Sequence, residues 1–216
     1  KDDITTFEAT KNYDCSVLFQ SRKGYGNAIV EGINFVKTKY SCIFYADGST
    51  DPKYIRLMYE KLINQKNDLI FGSRYEKNGY SYDDDFITRL GNFGFTLLGN
   101  VFMRLKITDL LFTYIFAKTD CFKNMNLSCD DYCLCIEIPY KAKLTELSYS
   151  TLPCVERKRF TQKRLRDEPR ALQMIIFPTA NLPIKEYSTT QTDNKSGSTA
   201  KKELIPGRRK IPAIPN

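Results

Sequence analysis

Apolar runs of strand length alternate with segments of helical periodicity through the first half of the chain, and this alternation restricts the fold more than any other feature. The run Tyr40–Tyr45 precedes a segment, residues 54–64, in which apolar residues recur at helical spacing, and a second run follows at 68–72. Strands that alternate with helices at this spacing form βαβ units. We therefore predict an α/β fold with a mostly parallel sheet, flanking helices and a ligand crevice at the carboxyl ends of the strands.

Shorter patterns extend this prediction on both sides. Residues 16–19 form an apolar run that predicts a strand, and Asn27 begins a helical pattern that continues to Val36. Residues 107–150 are typical of an α+β segment, with a helix near 134–144 and a strand at 146–150.

One long segment, residues 86–105, predicts a helix that is apolar on more than one of its faces. Such a helix is buried in the core of a protein, or it lies on a membrane or a lipid tail. Both interpretations agree with the sequence.

The chain contains no histidine, so it cannot use a Ser-His-Asp triad, a Cys-His pair or an HExxH zinc site. Its seven cysteines form no Cys-x-x-Cys pair, and we expect free thiols in a reducing cytoplasm. Any catalytic chemistry must then come from carboxylates, lysine, tyrosine or cysteine.

The formal net charge of +8 lies entirely in residues 151–216, while residues 1–150 are neutral overall. This distribution argues against nucleic-acid binding by the folded part, although a basic tail that binds nucleic acid stays an alternative. Residues 185–216 are rich in Ser, Thr, Lys and Pro, which predicts disorder. We place the folded domain at residues 1–178 and a disordered basic tail at 179–216.

Asp47 follows the buried run and is followed by Gly48, which places its carboxylate at the mouth of the sheet. Carboxylate oxygens in this position suit Mg²⁺ or Mn²⁺ and a phosphorylated ligand. The simpler alternative is an Asp-Gly turn before a helix that Asp51 caps and Pro52 begins.

Several short motifs occur in a fixed order over residues 14–175. They are Lys23-Gly24-Tyr25-Gly26-Asn27-Ala28 with Gly32, Ala46-Asp47-Gly48-Ser49-Thr50-Asp51-Pro52, Phe71-Gly72-Ser73-Arg74, Gly91-Asn92, Thr108-Asp109, Glu137, and Pro153 with Glu156-Arg157-Lys158-Arg159. In these motifs the sequence resembles the family-2 glycosyltransferases, in particular the branch of the polyprenyl-phosphate mannosyl- and glucosyltransferases. The resemblance implies a GT-A fold that binds a nucleotide-sugar donor at the carboxyl edge of the sheet. Because the family begins with a further strand and a Pro-x-Tyr-Asn-Glu turn, it also implies an N-terminally truncated pattern with an incomplete pocket for the donor's base.

The resemblance implies a divalent metal, Mg²⁺ or Mn²⁺, on the donor diphosphate. The family's Asp-x-Asp motif falls on Tyr45-Ala46-Asp47, so Asp47 matches the metal-binding second aspartate, whereas Tyr45 replaces the first. Ser49 and Asp51 are the neighbouring oxygen ligands that we expect to assist Asp47. A bound metal would balance the negative charge that develops on the departing diphosphate.

The resemblance also assigns donor-binding or phosphate-binding roles to a set of mostly basic residues. They are Lys23, Gly24, Arg74, Arg157, Arg159 and Lys163. A guanidinium such as that of Arg74 gives paired hydrogen bonds to phosphate in a fixed plane. The alternatives are a surface ion pair of Arg74 with the acidic residues 83–85, and a merely solvated face for the basic segment at 157–163.

Asp109 and Glu137 match acidic positions in the family and are the candidate catalytic bases for a sugar hydroxyl acceptor. A lipid phosphate already carries the charge needed for attack and requires no base. The resemblance therefore implies sugar transfer, with inversion, to a lipid phosphate or a glycan, as in bacterial cell-envelope or lipid-linked sugar synthesis. Either acid can equally be structural.

No run approaches the roughly 20 apolar residues of a membrane-spanning helix, and the start of the chain does not resemble a signal peptide. We expect a cytoplasmic enzyme, peripheral at the inner face of a membrane. The alternative is a degenerate, non-catalytic member of the family, which Tyr45 and the missing N-terminal pattern favour.

Overall fold

The computed structural model describes residue 8, residues 10–159 and the backbone of a strand at 174–176, all within the first of two compact units of the chain, Lys1–Leu182. Lys163, the domain boundary at 178 and the disordered tail lie outside the described residues and stay predictions.

The helices and strands that position the site are numbered here along the chain. They are α1 (Tyr25–Phe35), β1 (Tyr40–Tyr45), α2 (Lys53–Asn64), β2 (Leu69–Ser73), β3 (Tyr80–Ser81), α3 (Phe86–Phe102), β4 (Ile115–Lys118), α4 (Thr119–Asn124), α5 (Leu134–Leu144), β5 (Tyr149–Pro153), β6 (Val155–Glu156) and β7 (Met174–Ile176). Strand β1 and helix α5 have the predicted bounds. The strand predicted at 16–19 is wrong, because these residues are exposed and pair with no strand of the described chain.

The larger sheet has five strands in the order β5-β2-β4-β1-β7. Strands β2 and β5 are parallel, whereas β4 is antiparallel to both β1 and β2, and β7 is antiparallel to β1. The prediction of a mostly parallel sheet is therefore wrong, and the sheet is mixed. Strands β1, β2 and β5 still run in one direction, so their carboxyl ends meet at one edge, as predicted.

The mixed pairing follows from the path of the chain after β2. A parallel neighbour requires a crossover that returns the chain to the opposite edge of the sheet. Strand β4 instead enters the sheet from the edge at which β2 ends and pairs with it in the antiparallel direction. The segment between these strands, which includes β3 and α3, therefore begins and ends at the carboxyl edge.

Helices cover both faces of the sheet, and alternate strand residues point to each face. On one face, α1, α4 and α5 pack against side chains such as Ile43 and Phe71. On the other face, α2 packs against Cys42, Ile70 and Phe116. The core is thus enclosed without α3.

Helix α3 contacts the domain through polar and small residues. Thr96 Oγ1 accepts a hydrogen bond from the backbone N–H of Leu110 (3.0 Å), and the Asn100 amide bonds both the N–H and the C=O of Ile107. Gly99 lies so close to Leu110 that a Cβ atom would come within 2.8 Å of its Cδ2. The polar side of the helix therefore faces inward.

The outer side of α3 is apolar, and nine of its side chains are more than half exposed. They are Phe86, Ile87, Leu90, Phe93, Phe95, Leu97, Leu98, Val101 and Phe102. The interpretation of this segment as a core helix is wrong, because other helices already cover both faces of the sheet. In the described part of the chain, none of the helices has the length and apolarity to cross a bilayer.

Candidate functional site

The loop that follows β1 holds Asp47 beside the carboxyl end of the strand. Asp47 Oδ1 accepts hydrogen bonds from the backbone N–H of Ser49 (3.0 Å) and from its hydroxyl (2.6 Å). Gly48 has a φ of 82°, a left-handed conformation that glycine adopts without strain. These contacts fix the carboxylate and leave Oδ2 for a partner outside the loop.

Asp51 is committed to the start of α2 and to basic side chains. Its Oδ1 accepts from the backbone N–H of Lys53 (3.0 Å), the first residue of α2. The N-cap is Pro52, so the prediction that Asp51 caps this helix and Pro52 begins it is wrong by one residue. Its Oδ2 pairs with Lys53 Nζ and with the Arg157 guanidinium. Burial by itself raises the pKa of Asp51, but these hydrogen bonds and positive charges lower it below its ordinary value.

Residues 157–159, which we call the basic strap, follow β6 and lie across the loop that carries Asp47. The backbone N–H of Arg157 donates to the Ser49 carbonyl (2.8 Å). Arg159 Nε lies 2.9 Å from Asp83 Oδ2 and 3.8 Å from Asp47 Oδ2. The structure therefore brings Asp47, Ser49 and Asp51 together with Arg157 and Arg159 at the carboxyl edge.

Arg74 follows β2 and is buried among three carboxylates. Asp109 accepts from its backbone N–H, Nε and Nη2 at 2.7–3.0 Å, while Nη1 contacts Asp84 at 3.3 Å and Glu156 at 3.2 Å. The ion pair that the sequence offered as an alternative for Arg74 is present, with Asp84, but it is buried. Every guanidinium nitrogen already has a carboxylate partner in this arrangement, and a role in phosphate binding stays a prediction.

Both candidate bases have their oxygens engaged by the protein. Asp109 is 2% exposed and bonds Arg74 through both oxygens. Glu137, in the first turn of α5, accepts from the backbone N–H groups of Ser128 and Cys129 and pairs with Lys141 at 2.8 Å. Burial by itself raises the pKa of Glu137, but these contacts lower it to about 2. Such contacts are typical of structural acids, and a catalytic role for either residue stays a prediction.

Gly24 and Lys23 precede α1 at the same edge. Gly24 has a φ of 133°, and a Cβ atom there would lie 2.0 Å from the Asp130 carbonyl oxygen. Close packing of the segment before α5 therefore requires glycine at this position. Lys23 is exposed, and the donor contacts predicted for both residues stay predictions.

Tyr45 occupies the first position of the Asp-x-Asp motif, and its hydroxyl points into the domain. The hydroxyl lies 3.0 Å from that of Tyr25, and both contact the Thr113 hydroxyl. Burial raises the pKa of Tyr45 to about 12, so the phenol is neutral at physiological pH. Tyr45 therefore packs at the edge of the core, and Asp47 is the only carboxylate at the Asp-x-Asp positions.

The oxygen donors at this edge fit a cation that keeps much of its water. No three Cys, Asp or Glu side chains converge on a metal position among the residues that the structure describes. An Mg²⁺ ion is commonly held by one or two carboxylates together with water and substrate phosphates. Asp47 would hold such an ion through Oδ2, since the hydrogen bonds from Ser49 engage Oδ1.

A comparison of the whole sequence with protein families gives a match. Residues 2–125, more than half of the chain, match the family described as glycosyl transferase family 2. The chain belongs to this family. It is therefore a glycosyltransferase that uses a nucleotide-sugar donor and an acceptor, and its mixed α/β domain is compatible with a GT-A-like fold. The matched residues include Asp47, Arg74 and Asp109 and end before Glu137 and the basic strap.

Three acidic residues of this glycosyltransferase site were not among the predicted site residues, although the run 83–85 was offered as an ion-pair partner of Arg74 and Glu156 stood in a family motif. Asp83 pairs with the basic strap, and Asp84 and Glu156 surround Arg74. Burial raises the pKa of Glu156, against the lowering influence of Arg74 and of the Ser81 hydroxyl. The acidic run at 83–85 thus located Asp84 beside Arg74, while the pairing of Asp83 with Arg159 was not foreseen.

We expect the substitution Glu137→Gln to destabilise the fold. It replaces a carboxylate oxygen that accepts from backbone N–H groups by an amide NH₂, and should cost about 1.5–3 kcal/mol in the free energy of unfolding at neutral pH. Because the folded pKa lies below the ordinary 4.5, this stabilisation is present above about pH 4.5 and disappears as the pH falls toward 2. Urea unfolding of both chains, from neutral pH downward, measures it.

The matched control is Glu60→Gln, which breaks an exposed pair with Arg56 on α2 and should change stability by about 0.5 kcal/mol or less. Unchanged stability of Glu137→Gln at neutral pH, or a difference that does not shrink in acid, would contradict the structural role.

Proposed function

We propose that the chain transfers a sugar from a nucleotide-sugar donor to a lipid phosphate, and that Asp47 holds the divalent cation of the donor diphosphate. The observation that carries the proposal is the meeting of a fixed carboxylate, on Asp47, with the basic strap at the carboxyl edge. Ligands of open α/β sheets bind at this edge. A metal-bound diphosphate needs two kinds of partner. Its cation binds carboxylate oxygen, and its phosphates bind basic groups.

Mg²⁺ or Mn²⁺, when bound, neutralises charge that develops on the diphosphate as it leaves. Asp47 would hold that ion, and the guanidinium groups of Arg157 and Arg159 would stabilise the remaining phosphate charge. An acceptor oxygen forms a bond to the anomeric carbon of the sugar. The bond between that carbon and the diphosphate breaks, and the nucleoside diphosphate leaves with the electron pair.

The candidate bases favour an acceptor that is already anionic. Asp109 and Glu137 are both held in contacts with the protein, and the chain contains no histidine. A phosphate oxygen attacks without losing a proton, so a lipid phosphate needs neither acid as a base. A sugar hydroxyl would need one of them.

Helix α3 supports a lipid acceptor because its outer side is apolar. Its residues Phe86, Leu90 and Phe93 line a groove of about 430 Å³ that extends to Arg74. Arg89, the one charged residue of α3, lies at this groove with its guanidinium 5.0 Å from the centre of the Tyr80 ring. Apolar walls with a cation suit a lipid chain and its phosphate.

The same helix suits contact with a bilayer surface. Exposed apolar patches of this kind mark membrane or protein interaction sites, and an interfacial helix buries such a face among lipid headgroups and acyl chains. Thr96 and Asn100 attach the polar side of α3 to the domain by hydrogen bonds. The apolar side is therefore free to contact an apolar environment.

Asp47→Asn should lower metal-dependent transfer by about 100-fold or more, because the amide loses the charge that holds the cation of the leaving group. Asparagine keeps an oxygen for Ser49, so the unfolding midpoint should not change. The assay follows transfer of labelled sugar from UDP- and GDP-sugars to a polyprenyl phosphate with Mn²⁺. Asp120→Asn, an exposed acid in the first turn of α4, is the control that should keep activity.

Equal activity of the Asp47→Asn and Asp120→Asn chains would remove Asp47 from the reaction. Absence of transfer by the wild-type chain from every UDP- or GDP-sugar would contradict the proposal and favour the non-catalytic alternative.

Replacing Ile87 and Phe102 together by glutamine should reduce binding to vesicles of phosphatidylcholine and phosphatidylglycerol by at least about tenfold. Each side chain is almost four-fifths exposed, so the change removes apolar area from the outer side of α3 without disturbing the core. Co-sedimentation with the vesicles measures it.

The control replaces Leu57 and Ile63, which are exposed apolar residues of α2, by glutamine. This chain should bind vesicles like the wild type. Failure of the wild-type chain to bind, or equal binding by the α3 variant, would exclude the bilayer as the environment of α3.

A further inference from the structure

Arg159 lies between two carboxylates at the place where the cation is proposed to bind. Its Nε is 2.9 Å from Asp83 Oδ2 and 3.8 Å from Asp47 Oδ2, and its side chain is half exposed. Asp47 Oδ1 is engaged by Ser49 within the loop. The oxygen that faces Arg159 is therefore the same oxygen that is left for a cation.

A guanidinium and a divalent cation cannot share this oxygen closely, because like charges a few ångströms apart repel strongly. Arg159 carries out one of two functions at a time. It neutralises Asp47 and Asp83 in the absence of a cation, or it binds phosphate after a cation has taken Asp47.

The start of the basic strap is anchored at Arg157 and at the residue before it. The backbone N–H of Arg157 bonds Ser49, and its guanidinium pairs with Asp51. The preceding residue, Glu156, is buried and accepts from Ser81 Oγ at 2.6 Å and from Arg74. This anchored start keeps the half-exposed Arg159 side chain beside the loop of Asp47 while leaving it room to turn.

We propose that Arg159 exchanges partners when the donor binds, an inference that rests on the function proposed above. Without donor, its guanidinium holds Asp83 and Asp47. When the cation and diphosphate bind, the cation takes Asp47 Oδ2 and the guanidinium turns to the diphosphate. Arg159 therefore opposes binding of the cation alone and favours binding of the cation together with diphosphate, which couples the two ligands.

Arg159→Ala tests the exchange because the two effects have opposite signs. Lys158→Ala is the matched control, since it removes the same charge from the neighbouring exposed residue, which forms no ion pair with another residue of the described chain. Mn²⁺ alone, titrated by electron paramagnetic resonance, should bind Arg159→Ala about fivefold more tightly than Lys158→Ala. UDP and GDP are then compared on the wild-type chain with saturating Mn²⁺, and the one that binds more tightly is used. It should bind Arg159→Ala about tenfold less tightly than it binds Lys158→Ala.

Equal Mn²⁺ affinity of the two variants overturns the exchange, as does weaker binding of both Mn²⁺ and nucleoside diphosphate by Arg159→Ala. Absence of Mn²⁺ binding by every chain also overturns it. Circular dichroism of each variant confirms that the fold is retained, as expected for a half-exposed side chain.

Sugar transfer by the wild-type chain, measured in parallel, separates this inference from the proposed function. If the wild-type chain transfers sugar with Mn²⁺ but Arg159→Ala does not change the Mn²⁺ and nucleoside diphosphate affinities in opposite directions, only the exchange is wrong. If the two affinities change in opposite directions but the wild-type chain transfers no sugar, the exchange is present and the proposed function is wrong.

Discussion

The buried ion-pair network around Arg74 is the interaction on which the carboxyl edge depends. A buried guanidinium is tolerated only when carboxylates neutralise it with good geometry, and loss of one partner from such a network is strongly destabilising. Arg74 meets this condition with Asp109, Asp84 and Glu156, which come from segments far apart in the chain. The network therefore joins the end of β2, the approach to β4, the loop before α3, and β6. The basic strap begins immediately after β6, so its position beside Asp47 is a consequence of this network.

The position of helix α3 reflects a second constraint, because the other helices already cover both faces of the sheet. The sheet has two faces, and α1, α4 and α5 cover one while α2 covers the other. Helix α3 lies at the carboxyl edge and docks through hydrogen bonds of Thr96 and Asn100. Its apolar residues are left outside, beside the groove that leads to Arg74. The proposed lipid-binding surface and the proposed donor site thus lie next to each other because the segment between β2 and β4 begins and ends at the carboxyl edge.

The sequence predicted most local elements, apart from the strand at 16–19, but it predicted long-range pairing poorly. Strand β1 and helix α5 were correct because a buried apolar run and a helical period are local properties. The antiparallel insertion of β4 was missed because the alternation of strands and helices does not reveal which edge of the sheet the chain occupies. Asp84 was anticipated as a partner of Arg74, within the acidic run 83–85, but the pairing of Arg74 with Asp109 and Glu156 was not, because separations of 35 and 82 residues leave no periodic signal. Asp47 and the basic strap were found through motifs, but their direct pairing was not.

A crystal structure of the chain with Mn²⁺ and a nucleoside diphosphate is the most direct test of the central claim that Asp47 presents a carboxylate to the donor's cation. We expect an anomalous peak for Mn²⁺ in contact with Asp47 Oδ2 and with the diphosphate, and an Arg159 guanidinium turned from Asp47 and Asp83 toward phosphate. A diphosphate bound elsewhere, or a peak away from Asp47 with Arg159 still between the two aspartates, would contradict it.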